Sequence, residues 1–260
     1  MELNEKIPIN GIGTKQLKIL CYPKCQKDEI ENRLQELKRL KIQALEFAGE
    51  KNVFGVPVLG KGCVGIVLIA YTDTERAALK IRRIDSDRKR MFHEGQMLKK
   101  ANSVNVGPKL FKVSENFLLM ELVEGKHFPE WIQSVEGKDA KLNIRLVLAN
   151  ILEQCYRLDE AGLDHGELSK APKHIIVKSA YIPYLIDFET ASINRRVTNV
   201  TSVCQYLFFG SQIAYNVKEK LGQIKENELI NTLRLYKKEM TRKNFEKILD
   251  ISLIKNADYT

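Results

Sequence analysis

Between Val53 and Ile84 the chain carries three short runs in succession, VFGVPVLGKG, CVGIVLIAYT and RAALKIRRI, rich in β-branched residues and punctuated by glycine. Branching at Cβ favours extended backbone, and consecutive short strands joined by tight polar turns pair most simply as an antiparallel meander. A small β-rich body near the start of the chain is therefore expected. Two further runs, LFKV and NFLLMELVEG, extend it after one helix, predicted over Asp87 to Ala101 with Met91, Gly95 and Leu98 on one face.

Elsewhere the period is helical. Lys27 to Phe47 places Ile30, Leu34, Leu37, Leu40 and Leu45 at steps of three to five with charges between them, which predicts one amphipathic helix. From Leu142, the stripe Ile144, Val147, Leu148, Ile151, Leu152, Cys155 and Leu158 predicts a long helix. Two short apolar strands follow, HIIVKSA and YIPYLIDF, and from Asn199 the texture is helical to the end. An α+β fold of two lobes is expected: an N-terminal helical extension (1–52), a β-rich lobe (53–124) and a mainly helical lobe (125–260).

The 260 residues are 44% hydrophobic, which is enough to bury a core and rules out disordered and fibrous classes. The longest apolar run, Cys63 to Tyr71, is about half of the roughly 20 residues a membrane helix needs, so no membrane partner is expected. The opening Met-Glu-Leu-Asn-Glu lacks a secretory pattern, and a cytoplasmic location is expected. Five scattered cysteines, with only Cys21 and Cys25 close together, argue against a disulfide framework and against structural zinc.

The net charge of +9 is uneven. Glu75 to Lys100 holds nine Lys/Arg against four acids, and Val217 to Asp250 nine against six. Such stretches suit an anionic partner, although interleaved glutamates also describe an ordinary solvated helix face.

Gly60, Gly62 and Gly65 form G-x-G-x-x-G, followed by the strand-forming run Ile66-Val67-Leu68-Ile69-Ala70 rather than by a helix. The loop is then a hairpin tip whose backbone N–H groups can approach phosphate oxygens, or else a plain tight turn. Fifteen residues after Gly65, Lys80 ends the triplet Ala78-Leu79-Lys80. Glu94 lies on the apolar stripe of the next helix, where an unpaired carboxylate is costly to bury, and a Lys80–Glu94 ion pair resolves that cost. Later come Asp164-His165-Gly166-Glu167-Leu168-Ser169, directly after the long helix, and Leu185-Ile186-Asp187-Phe188-Glu189 at a strand end.

In these motifs and their order, from about Val53 to the end, the chain resembles the atypical minimal protein kinases of the RIO and KEOPS-complex type, and most closely a group of predicted archaeal serine/threonine kinases. The resemblance implies a protein-kinase-like bilobal fold and the cofactors ATP and Mg²⁺. It assigns the nucleotide to Leu59, Gly60, Lys61, Gly62, Cys63, Val64, Gly65, Ile66 and Val67, with Lys80 on the phosphates, Glu94 pairing with it, and Met120, Glu121 and Leu122 along the adenine. It assigns catalysis to Glu167, Asp187 and Lys80, with Asp187 as metal ligand. The acceptor is a Ser or Thr hydroxyl of a protein substrate or of the chain itself, and analogy with RIO kinases admits an RNA or ribosome partner.

Two positions depart from the family. Glu167 stands where the family has the Asp that receives the hydroxyl proton, and Pro172 where it has the second metal ligand, Asn; His174 follows two residues later. Glu189 replaces the Gly after Asp-Phe, as in aminoglycoside and choline kinases. The alternatives are accordingly a nucleotide-binding pseudokinase scaffold and a small-molecule phosphotransferase. His165 reads as a structural histidine propping the loop, and His93, His127 and His174 as structural or exposed.

Overall fold

The computed structural model describes residues 6–87 and 89–254. The expectations resting on residues 1–5, Arg88 and 255–260 lie outside the described residues. The fold is α+β with antiparallel sheets. It divides into two compact units, one made of the residues to Lys99 together with Pro108–Leu122, the other of Lys100–Gly107 together with the residues from Val123.

In the first unit the chain runs through β1 (Lys6–Pro8), α1 (Thr14–Leu17), α2 (Lys27–Arg39), β2 (Ala44–Glu46), β3 (Lys51–Val53), β4 (Val56–Val58), β5 (Gly60–Lys61), β6 (Gly65–Tyr71), β7 (Arg76–Arg82), α3 (Lys89–Asn102) as far as Lys99, β8 (Leu110–Val113) and β9 (Phe117–Glu121). The main sheet has the order β1-β2-β6-β7-β9-β8, with β5 also paired to β6. Ile66, Leu68, Ala70, Ala77, Leu79, Ile81, Phe117 and Leu119 belong to one buried cluster with Leu37, Leu40 and Leu45. Because side chains alternate across a strand, Val67, Ala78, Lys80, Leu118 and Met120 stand on the opposite face.

The predicted meander is present as β5, β6 and β7, but two expectations are corrected. The run VFGVPVLGKG is not a single strand: Phe54 and Gly55 take positive φ (53° and 73°), a two-residue turn that folds β3 back on β4 as a separate hairpin. The helix expected over Lys27 to Phe47 ends at Arg39, with Lys41 in the left-handed region. Beyond it Ala44, Leu45 and Glu46 pair with Ile69 to Tyr71 on one side and with β1 on the other. The N-terminal segment is thus part helix and part sheet.

α2 is tied to the sheet by buried polar groups. Arg33, fully buried, donates to the carbonyls of Leu20 and Arg82 and to Glu29. Glu36 accepts from the backbone and side-chain nitrogens of Asn116, whose Oδ1 in turn accepts from Arg82. Desolvation lowers the Arg33 pKa, opposed by Glu29. A single disulfide joins Cys21 and Cys25, whose Cα atoms are 5.1 Å apart, the close pair of a cysteine set from which no disulfide framework is expected; Cys63, Cys155 and Cys204 are free.

The second unit contains β10 (Lys126–His127), α4 (Phe128–Ser134), α5 (Ala140–Glu160), β11 (Ile175–Val177), β12 (Pro183–Leu185), α6 (Asn199–Phe208), α7 (Gln212–Leu221), α8 (Glu226–Lys238) and α9 (Arg242–Ile251). α5 carries the predicted stripe, buried along its length. The three short strands form a sheet in the order β10-β11-β12. No helix among the described residues is long and apolar enough to cross a membrane.

Candidate functional site

The glycine segment is a hairpin tip. Gly60 pairs with Val67 and Lys61 with Ile66, and the Gly62 N–H donates to the Gly65 carbonyl at 2.8 Å, so Cys63 and Val64 form the turn. The Arg83 N–H donates to the Val64 carbonyl and its guanidinium to the Gly62 carbonyl, bracing the turn from behind. Of the three glycines, the fold itself requires Gly65: a Cβ there would lie 2.9 Å from the Ile81 carbonyl oxygen and 3.0 Å from Lys80 Cγ. At Gly62 the nearest atom would be 3.7 Å away, an ordinary contact. Packing therefore does not explain the missing side chain at Gly62.

Register places Lys80 directly across from Val67 on one side and Leu118 on the other. Its Nζ lies 2.9 Å from Oε1 and 2.8 Å from Oε2 of Glu94, making the ion pair expected from the sequence. Met120 pairs across from Ala78 on the same face as Lys80. Glu121 is held by Lys109: its N–H donates to the Lys109 carbonyl, and its Oε2 accepts from the Lys109 N–H. The first unit thus gathers Gly60, Gly65, Val67, Lys80, Glu94 and Met120 around one sheet face and its hairpin.

The second unit builds its polar centre from two loops. Asp159, at the end of α5, accepts from the Asn199 N–H and Nδ2, from the Val200 N–H and from the Tyr236 hydroxyl. Burial raises the Asp159 pKa, opposed by these donors. Asn199 also donates to the Leu163 carbonyl and accepts the His165 N–H at 2.8 Å, so the start of α6 fixes the loop after α5. Asp164 accepts from Thr198 and Arg195 and exchanges backbone hydrogen bonds with Ser192. Gly166, at φ +93°, lies so close to Arg195 and Thr190 that a Cβ would fall 2.5 Å from the guanidinium.

His165 is fully buried, with Nε2 3.1 Å from the Ile186 carbonyl, a geometry that places the proton on Nε2. Desolvation, then repulsion from His174, pulls its pKa down to about 4, so it is neutral at pH 7. It acts as the structural prop expected. His174 does more than expected: its Nε2 lies 3.4 Å from Glu167 Oε2. Glu167, His174 and Asp187 each offer a ligand atom within 4.8 Å of the other two.

The pairing of β11 with β12 produces this convergence. Ile175 stands opposite Leu185, and the Ile186 N–H donates to the His174 carbonyl, so Asp187 emerges one residue beyond His174's partner. Asp187 itself is at φ 68°, a left-handed conformation that costs a non-glycine residue about 1–3 kcal/mol and concentrates at functional sites. The sequence places His174 seven residues after Glu167 but reads it as structural or exposed, and it singles out neither Asn199 nor Asp159.

No protein-family model matches the chain, and no curated protein matches it.

Proposed function

We propose that this chain is an atypical protein kinase with a kinase-like bilobal fold, transferring the γ-phosphoryl group of ATP to a Ser or Thr hydroxyl on a protein or on itself. The observation that carries the reading is the buried Lys80–Glu94 pair, in register with Val67 beside a glycine hairpin whose Gly62 packing does not demand. A lysine so held presents a fixed positive charge to phosphate oxygens, and backbone N–H groups of the hairpin add further donors.

Glu167 is 39% exposed at its side chain and serves as the carboxylate that orients the acceptor hydroxyl and receives its proton as the new P–O bond forms and the bond to ADP breaks. Asp187 is the cation ligand. A divalent ion, Mg²⁺ by the resemblance, supplies neutralisation of phosphate charge. The donor set fits such an ion in having two half-buried carboxylates within 4.8 Å of each other, and departs from an all-oxygen magnesium site in having His174 as its third member.

A second reading, a nucleotide-binding pseudokinase, is favoured by one contact, that of Glu167 with His174, which engages the proposed base. Purified protein incubated with γ-labelled ATP beside an Asp187→Ala control separates the two. Label on the chain or on a generic Ser/Thr substrate, lost in the control, supports the kinase. ATP binding without label in either supports the scaffold.

A further inference from the structure

The convergence of Glu167, His174 and Asp187 carries a conclusion about the ion itself. We propose that these three residues form a mixed nitrogen and oxygen site that takes a divalent first-row transition ion, Mn²⁺ or Zn²⁺, in preference to Mg²⁺. The site is the one assigned above to the phosphoryl-transfer cation, so its use in catalysis rests on that reading. Ion binding itself is measured without nucleotide.

Donor chemistry is the first ground. Mg²⁺ is hard, prefers six oxygens and sheds water reluctantly, whereas imidazole is a ligand of choice for zinc and its neighbours. A set of one imidazole and two carboxylates leaves coordination positions open, as catalytic transition-metal sites do. All three side chains are half-buried, so water or a phosphate oxygen can reach those positions.

Geometry is the second ground. Ligands roughly 2.1 Å from one ion stand up to roughly 4.2 Å apart across it, close to the spacing that bounds the three ligand atoms, 4.8 Å. The His174 backbone is fixed by the Ile186 N–H, and its ring lies edge-on to the buried His165, centroids 5.7 Å apart. Its Nδ1 is buried and has no hydrogen-bond partner among the described residues. The ring nitrogen that faces the carboxylates is Nε2, 3.4 Å from Glu167 Oε2. Glu189 brings another carboxylate oxygen within 4.8 Å of that of Asp187.

The test uses the full chain, stripped of metal with a chelator, and no nucleotide. Mn²⁺ is titrated by the loss of its free-ion paramagnetic resonance signal, Zn²⁺ by calorimetry, and Mg²⁺ by competition against Mn²⁺. Mn²⁺ is expected to bind at one site at least about tenfold more tightly than Mg²⁺, with pulsed resonance detecting ¹⁴N coupling from one imidazole. His174→Asn should abolish that coupling, weaken Mn²⁺ and Zn²⁺ by about tenfold or more, and narrow the gap to Mg²⁺. Should His174→Asn fail to fold, as read by circular dichroism, the ¹⁴N coupling in the parent protein decides.

Absence of Mn²⁺ and Zn²⁺ binding at millimolar concentration overturns the proposal and leaves a plain His174–Glu167 contact. Binding without ¹⁴N coupling, or Mg²⁺ binding as tight as Mn²⁺, also overturns it. Metal binding as expected but no ATP turnover with any of the three ions would instead remove the kinase reading and leave this one standing.

Discussion

Lys80 and Glu94 meet through both carboxylate oxygens, at 2.9 and 2.8 Å, although only 6% and 2% of their surfaces are exposed. Burying two charges costs several kcal/mol, and their attraction offsets that cost only while both are present. Glu94→Ala is therefore expected to destabilise the protein by about 3–5 kcal/mol, and Lys80→Met together with Glu94→Leu to restore most of that stability. The double variant should still be unable to bind ATP. Denaturant unfolding and nucleotide titration of the three proteins check both halves; a fully folded double variant that binds ATP like the parent would refute the phosphate role of Lys80.

Gly62 and Gly65 separate the demands of folding from those of binding. A Cβ at Gly65 meets the Ile81 carbonyl oxygen at 2.9 Å, so Gly65→Ala forces the hairpin off β7 and should cost about 1–3 kcal/mol. Gly62→Ala meets only an ordinary contact at 3.7 Å and should change stability by less than about 0.5 kcal/mol. Its effect should fall on ATP affinity instead, because the added methyl obstructs the backbone's approach to phosphate. Equal ATP affinity in Gly62→Ala and parent would identify the hairpin as a plain turn.

The elements that could be read from the sequence are those whose pattern is local. The stripe from Ile144 to Leu158 is a helix because one apolar face repeats without interruption over about four turns. Leu45, five residues past Leu40, breaks that rhythm, and this was the available sign that the chain leaves α2 to pair with β6. The folding of β3 onto β4 was hidden because Phe54 adopts a φ more usual for glycine or asparagine. At the site, Lys80 and Glu94 were legible since a carboxylate on an apolar stripe requires a partner. His174 could be named by its spacing but not as a partner of Glu167, because that contact is set by the register of two three-residue strands. Arg33 and Glu36, two of the charges that lie between the apolar positions of α2, anchor it to the sheet.

Asn199 is the hub that joins α5, the loop after it and α6. Its side chain makes hydrogen bonds of 2.7–2.8 Å to Asp159, Leu163 and His165. Asn199→Ala leaves a buried carboxylate oxygen, a carbonyl and an N–H without those partners, and such groups cost about 1–3 kcal/mol when unsatisfied. A loss of about 2–3 kcal/mol is expected, with the His165 amide becoming the most accelerated exchanger in the unit by hydrogen–deuterium exchange. Unchanged protection at His165 would show that the loop is held by Asp164 and Ser192 alone.

The buried His165 makes stability depend on pH with a definite sign. Its folded pKa, about 4, lies below the ordinary 6.5, so between these values the unfolded chain binds more protons than the folded one. Stability from this group is complete above about pH 6.5 and falls as the pH drops toward 4, by on the order of 3 kcal/mol in total. His174, Asp187 and Asp164 also act on this ring, the first lowering and the two carboxylates raising its pKa. Because other groups titrate at the acid end, the diagnostic quantity is the difference between the parent and His165→Gln, a side chain that can still donate to the Ile186 carbonyl. Urea midpoints from pH 7.5 to 4.5 should converge as the pH falls, the parent losing more than the variant. Parallel curves over that range would mean that His165 takes up its proton at the same pH in the folded and the unfolded chain, and that burial does not hold the ring neutral.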